Sequence, residues 1–443
     1  PIDADQKLQE DALMSYVASV NYSYGDKYYA SFSFRRDGSS RLSPDTRWGN
    51  FWSLSASWRL SQEKFMQPLK SVLSDLKLRA SYGVNGNLPS SYYGYQSTYT
   101  TGAFYSGKPS PWESTLGNEE LTWEKNYALN LGLDIGLFSR VNVSLDWYTR
   151  TTKDLLMSKQ LNSISGFSSL LTNVGQMRNT GVELEVRSNN IKTKDFSWTT
   201  AFNLSHNKNK ILKLADLPWF VDGRYVRKEG YPFNTIYLRE YAGVDPETGS
   251  ALYYDNQQDE NGNYTKNKVT DPGQASPIPL KDITPTISGG FMNTFNYKFI
   301  DLSFNLSYSF GGYSYDNASY ILQDDGYSVI SNKSTEQRRR WQKPGDITDV
   351  PRFVYGNKKG GNYNSSRAIH STDHIRLKSL ILGLNAPKAW LQKLGIGNAR
   401  IYFSGTNLLT WAAYDQYDPE MSGVVGFYTP PLKTYAFGLE LKF

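Results

Sequence analysis

The sequence holds three histidines, His206, His370 and His374, and no cysteine. His370 and His374 stand four apart, a spacing that would turn two imidazoles toward one zinc ion on a helix. Ile375, Leu377 and the run 380–382 argue for a strand instead, with His370 in the loop before it, so the spacing reads as chance. Without cysteine, thiolate metal sites and disulfide frameworks are excluded. Serine and aspartate are abundant, but no G-x-S-x-G elbow presents a nucleophile. Ser288-Gly289-Gly290 and Gly311-Gly312 lack phosphate-loop spacing and read as strand starts and turns. Asp245-Pro246-Glu247-Thr248-Gly249 carries acids that would suit a cation loop, yet reads better as a Pro–Gly turn. The sequence therefore predicts no catalytic residue, no metal and no cofactor.

Binding is the chemistry that remains. Segment 85–123 carries Tyr92, Tyr93, Tyr95, Tyr99, Phe104, Tyr105 and Trp112. Aromatic faces among polar neighbours stack on sugar rings or peptide side chains. Tyr92, Tyr93, Tyr95, Tyr99, Tyr105 and Trp112 are the candidate ligand-binding residues. The competing reading packs these rings against their own loop or against a partner. Net charge is only +6 over 443 residues, and the one basic run is Arg338-Arg339-Arg340. No basic stripe suits nucleic acid.

The elements that must position these loops show alternation of period two. In 300–310, Ile300, Leu302, Phe304, Leu306, Tyr308 and Phe310 share one face, and Asp301, Ser303, Asn305, Ser307 and Ser309 the other. Segments 141–148 and 196–205 repeat the pattern. Thirteen such strands are predicted, at 15–24, 28–36, 50–60, 76–84, 124–137, 140–152, 180–190, 196–206, 287–297, 300–310, 374–385, 398–409 and 434–443. A further one could lie at 235–244. Most have the length that crosses a bilayer at a tilt. Aromatic content of 15% beside a mean hydropathy of −0.55 suits strands with one wet face and aromatic girdles.

Connections alternate in length. Gly25-Asp26-Lys27, Ser139, 191–195 and Lys298-Phe299 are short, with 61–75 and 386–397 in the same phase. Segments 37–49, 85–123, 153–179, 207–286, 311–373 and 410–433 are long. Short turns on one side and long loops on the other are the threading of an outer-membrane barrel. The alternation turns Asp146, Glu183, Glu185, Arg187, Asn203 and Asp301 toward the inside. No stretch is long enough for a membrane helix. An odd strand count cannot close antiparallel, and Pro1-Ile2-Asp3-Ala4-Asp5 is polar with no leader. Both predict that an N-terminal portion is absent. Tyr435, Phe437, Leu439, Leu441 and Phe443 form an amphipathic, aromatic-ended strand that resembles an outer-membrane assembly signal.

Several segments resemble the C-terminal half of SusC/RagA-family TonB-dependent transporters. They include Arg47-Trp48-Gly49-Asn50-Phe51-Trp52-Ser53, Asp75 to Gly83 followed by Asn85-Gly86-Asn87, and Leu121-Thr122-Trp123-Glu124-Lys125. Next come Tyr148 to Leu156, Asn173-Val174-Gly175 and Asn179 to Leu184. Last are Ala242 to Gly249, Arg340 to Asp346, and Asn407 to Trp411. They stand in the family's order over nearly the whole chain. The resemblance implies an all-β protein, the C-terminal part (1–443) of a 22-strand antiparallel transmembrane β-barrel with long extracellular loops. It implies a plug and TonB box N-terminal to this chain, contact with outer-membrane lipid, and a SusD-like lipoprotein lid. A dimer of transporter–lipoprotein pairs is a further possibility it carries. The expected function is TonB-dependent import of an oligomeric nutrient, a glycan or a peptide, across the Gram-negative outer membrane. The alternatives are a non-transporting β-rich surface or adhesion protein, and a barrel enzyme.

Overall fold

The computed structural model describes residues 8–102, 104–214, 217–357, 364–387, 390–391 and 395–443. The polar segment Pro1–Asp5 lies outside them. Among the described residues thirteen long strands dominate. They are β1 Leu13–Tyr24, β2 Tyr28–Ser39, β3 Trp48–Arg59, β4 Leu73–Asn87, β5 Glu124–Leu137, β6 Val141–Lys153 and β7 Gln176–Lys192. After these come β8 Phe196–Lys213, β9 Ile287–Tyr297, β10 Ile300–Phe310, β11 His374–Asn385, β12 Asn398–Ala412 and β13 Thr434–Lys442. All thirteen sequence-predicted strands are present, several longer than expected. The extra candidate at 235–244 is instead two short strands, Thr235–Leu238 and Tyr241–Val244, in separate small sheets. His370, expected in a loop, lies in the short strand Ile369–Ser371.

The chain divides into two compact units. The first holds 1–187 with 207–218 and 228–231; the second holds 188–206, 219–227 and 232–443. In the first, β1 to β6 pair antiparallel, each with its chain neighbour. In the second, β8 (through His206), β9, β10, β11, β12 and β13 do the same. Turn chemistry fixes the registers. Gly25 and Asp26 have φ of 60° and 55°, Phe138 and Ser139 of 51° and 53°. Two successive positive φ values mark the turn whose twist matches that of the flanking strands.

Register gives each sheet two unlike faces. In the first unit Tyr22, Ala30, Ala56, Ala80, Leu131 and Trp147 lie in one row. One residue along, on the opposite face, the row is Asn21, Ser31, Ser55, Ser81, Asn130 and Tyr148. The apolar face carries aromatic pairs toward both strand ends. Tyr28 stacks on Trp58 with centroids 6.3 Å apart, and Tyr16 on Trp48 at 6.0 Å. From Trp48 to Trp58 is about 33 Å of strand, or roughly 25 Å of height at a tilt of about 40°, matching the apolar band of a membrane barrel. In the second unit the apolar face runs through Phe295, Leu302, Leu382, Phe403 and Phe437.

No second layer covers these apolar faces among the described residues. The hydrophobic clusters sit in the connections and the strand ends beside them. In the first unit Leu42, Phe51, Val84, Leu121 and Trp123 form the core. In the second, Ile236, Leu238, Tyr315 and Ala368 form one cluster, and Ala251, Tyr253 and Ala275 another. Leu302, Phe304 and Leu306 belong to none of them. A soluble sandwich would bury that face.

Candidate functional site

The β4–β5 connection folds into two hairpins nested in sequence. Thr98–Thr100 pairs with Trp112–Thr115, and Phe104–Tyr105 with Lys108–Pro109. Tyr99, Phe104, Tyr105 and Trp112 stand 64%, 69%, 80% and 59% exposed. Tyr92 is engaged: the Arg41 guanidinium lies 4.1 Å from its ring centre, and Arg41 also bonds Asp11. Tyr95 packs against the Leu42–Trp123 core. Tyr93 is half-exposed, and its hydroxyl accepts the Glu10 amide at 3.4 Å. The six candidates thus split into loop supports, Tyr92 and Tyr95, and free faces, Tyr99, Tyr105 and Trp112, with Tyr93 between. Arg41 was not legible as part of this group, since it lies in another connection.

The loops are held by the motifs that carry the resemblance. Asn173 is the central stitch. Its Oδ1 accepts the Thr122 amide at 2.8 Å, and its Nδ2 donates to the Thr122 and Asp154 carbonyls at 2.9 Å each. Trp123 Nε1 donates to the Arg47 carbonyl at 2.8 Å. Glu124 accepts from Asn87. In the second unit Asp245–Gly249 is a turn: Asp245 accepts the Thr248 hydroxyl and the Glu247 amide, which hold its carboxyl below the usual range. Trp341 lies over Gly249, and its Nε1 donates to the Pro246 carbonyl at 2.8 Å. Gly249 has φ of +67°, and a Cβ there would meet the indole at 2.3 Å. Only glycine satisfies both constraints.

The histidines have different partners. His370 stacks on Tyr414 with ring centres 3.7 Å apart, and burial lowers its pKa. His374 Nδ1 lies 2.8 Å from the Thr372 carbonyl. Burial and the neighbouring Asp316 push the Tyr414 hydroxyl above its ordinary range. Among the described residues no group of three acids or histidines could hold a metal ion.

The polar faces carry ion networks. Arg79 reaches Asp134 at 2.8 Å and Asp146 at 3.0 Å, with Ser144 bridging the acids. It borders a shallow cavity of about 390 Å³ lined by Asn21, Tyr29, Ser31, Ser55, Ser81 and Asn130. Asp301 binds Arg400 at 2.6 Å and Asn385 at 2.8 Å. Glu185 pairs with Arg187, while from the apolar face Tyr308 donates to the Asn203 main-chain carbonyl. Where the two faces of a strand differ this way, the polar one suits an aqueous enclosure and the other lipid.

The sequence profile described as TonB dependent receptor-like, beta-barrel matches residues 5–236, more than half of the chain. The chain belongs to the TonB-dependent receptor β-barrel family. Within it, the likeness is to SusC- and RagA-type members. TonB-dependent receptor P3 of Formosa agariphila is 33% identical over 98% of this chain and 46% of its own length. TonB-dependent receptor SusC of Bacteroides thetaiotaomicron is 31% identical over 99% of this chain and 45% of its own. A solved RagAB peptide transporter superposes with a TM-score of 0.88 at 31% identity, over 98% of this chain and 48% of that one. The chain spans about half the length of the curated relatives it matches. Members of the TonB-dependent receptor family are outer-membrane proteins of Gram-negative bacteria, and the antiparallel sheets here have the family's barrel fold.

Proposed function

We propose that this chain forms barrel wall and outer loops of a transporter that imports an oligomeric nutrient, a glycan or a peptide, across the outer membrane. The observation that supports this reading is the pair of two-faced strand arrays whose apolar sides no other layer covers among the described residues. The apolar side fits lipid, and the hydroxyl- and amide-lined side fits an enclosed lumen. In this reading the chain is the C-terminal part of the barrel. A plug and TonB box in the rest of the protein take up energy, and a SusD-like lipoprotein closes the outer mouth. Two such pairs can assemble as a dimer. The work is binding and conformational change rather than covalent catalysis. Tyr93, Tyr99, Tyr105 and Trp112 offer faces to cargo or lid, while Tyr92 and Tyr95 hold the loop. Tyr435, Phe437, Leu439, Leu441 and Phe443 serve as the assembly signal.

The test is uptake. Cells carrying the full-length protein should accumulate fluorescent oligosaccharides or oligopeptides from a mixed pool, and lose that uptake when TonB is disrupted. Uptake indifferent to TonB, or a protein released from membranes without detergent, refutes the proposal and favours the surface-protein alternative.

A further inference from the structure

β11 presents an imidazole and two cationic side chains to one place. His374 and Arg376 face the polar side, opposite Ser309 and Ser307 of β10. On the β10 side Asn305 pairs with Ser379 and Leu306 with Leu377, which leaves Lys378 as a bulged residue. Bulges re-aim a side chain, and Lys378 joins the other two on a shared carboxylate. Arg376 is almost fully enclosed, its side chain 3% exposed. It binds Asp418 at 2.8 Å and Glu420 at 2.9 Å. Lys378 Nζ lies 2.5 Å from Glu420 Oε1, and His374 Nε2 lies 3.8 Å from the same oxygen.

Both acids come from the β12–β13 connection, not from a neighbouring strand. That segment is folded over β11 by further ties. Ala413 donates to the Asp373 carbonyl, Tyr414 to Asp316, and Gly423–Val425 pairs in parallel with Ser314–Asp316. The other nearby acid, Asp373, is engaged with the Gly311 amide. The strand neighbours of His374 and Arg376 are otherwise hydroxyl or small residues: Ser307, Ser309, Thr410 and Ala412.

We propose that His374, Arg376 and Lys378 form an anion-binding site of the barrel wall, occupied here by the chain's own Asp418 and Glu420. These carboxylates stand in for the acidic groups of cargo, carboxylates on an oligosaccharide or a peptide. The inference rests on the import reading and narrows its cargo to an acidic oligomer. An enclosed Arg376 left without its counter-charges is strongly unfavourable. Cargo carboxylates therefore replace the segment in one exchange, which frees the 413–425 strap as the acid enters.

The experiment uses the full-length protein in lipid nanodiscs at low salt, where screening is weak. A spin label at Asp415→Cys should gain mobility with tetraglutamate or tetragalacturonate, and not with tetraserine or maltotetraose. Asp418→Asn with Glu420→Gln should tighten tetraglutamate binding by about tenfold, the value of roughly one unit of unmatched charge. Adding Arg376→Gln should abolish that gain. A label that stays immobile at saturating acid, or a double variant binding tetraglutamate no tighter than native, overturns the assignment. Either failure leaves import itself standing, because TonB-dependent uptake of neutral oligomers is measured separately.

Discussion

Phe304→Arg, set against Ser303→Arg, tests which face of β10 meets lipid. β10 has 11 residues, about 36 Å of strand and roughly 28 Å of height at a tilt of about 40°. Phe304 then stands about 15 Å above the turn at Lys298, inside the hydrocarbon region. An arginine on the lipid face costs about 2–4 kcal/mol at midplane. Phe304 also meets Phe291 and Phe295 at centroid distances of 6.4 and 6.3 Å. Losing such contacts adds about 0.5–1.5 kcal/mol each. Ser303, one residue away, faces Thr294 and Ile381 on the other side and is spared the lipid penalty. The gap between the two variants should be at least about 2 kcal/mol, some thirtyfold in the folding equilibrium. Urea titration of the full-length protein in thin phosphatidylcholine vesicles, read by heat-modifiable gel mobility, measures both. Equal losses, or a larger loss for Ser303→Arg, would refute the assignment of faces.

Asn173→Ala removes three hydrogen bonds between loops and should cost about 1–3 kcal/mol locally. Protease cleavage within 85–123 and 153–179 should rise while strand-core hydrogen exchange stays unchanged. Gly249→Ala should free the 245–249 turn from Trp341 through both the +67° φ and the clash, seen as quenched or shifted Trp341 emission. Glu63 accepts from Lys27, Tyr28 and Trp58, which lower its pKa to about 2. Its folded value lies below the unfolded one, so its contribution is present above the ordinary carboxylate range and fades as pH falls toward about 2. Melting of the Tyr28–Trp58 girdle, followed by Trp fluorescence, should be flat from neutral pH to about 5, with Glu63→Gln removing the acid-side decline. Tyr105→Ala and Trp112→Ala should change stability by less than about 0.5 kcal/mol, yet weaken cargo or lid binding in an affinity measurement. Unchanged affinity would assign these rings to neither.

Strands were legible because a sheet with lipid on one side and water on the other writes its period directly into the residues, as in Ile300–Phe310. The short turns were legible for a similar local reason, since Gly25-Asp26 tolerates the required φ. Position 235–244 misled because tyrosine and β-branched residues favour strands wherever they pair, and pairing partners from 225–228 and 251–254 are invisible to periodicity. The aromatic loop was visible as composition, yet its division into support and free face depends on Arg41 and on the Phe51–Trp123 core, which come from other segments. Arg376 shows the same limit. Its strand was legible, but Asp418 and Glu420 reach it from more than 40 residues away. Local sequence sets which face a side chain takes, because that depends on one strand's backbone. Its partners depend on how the long connections close, and closure is settled only when the whole chain packs.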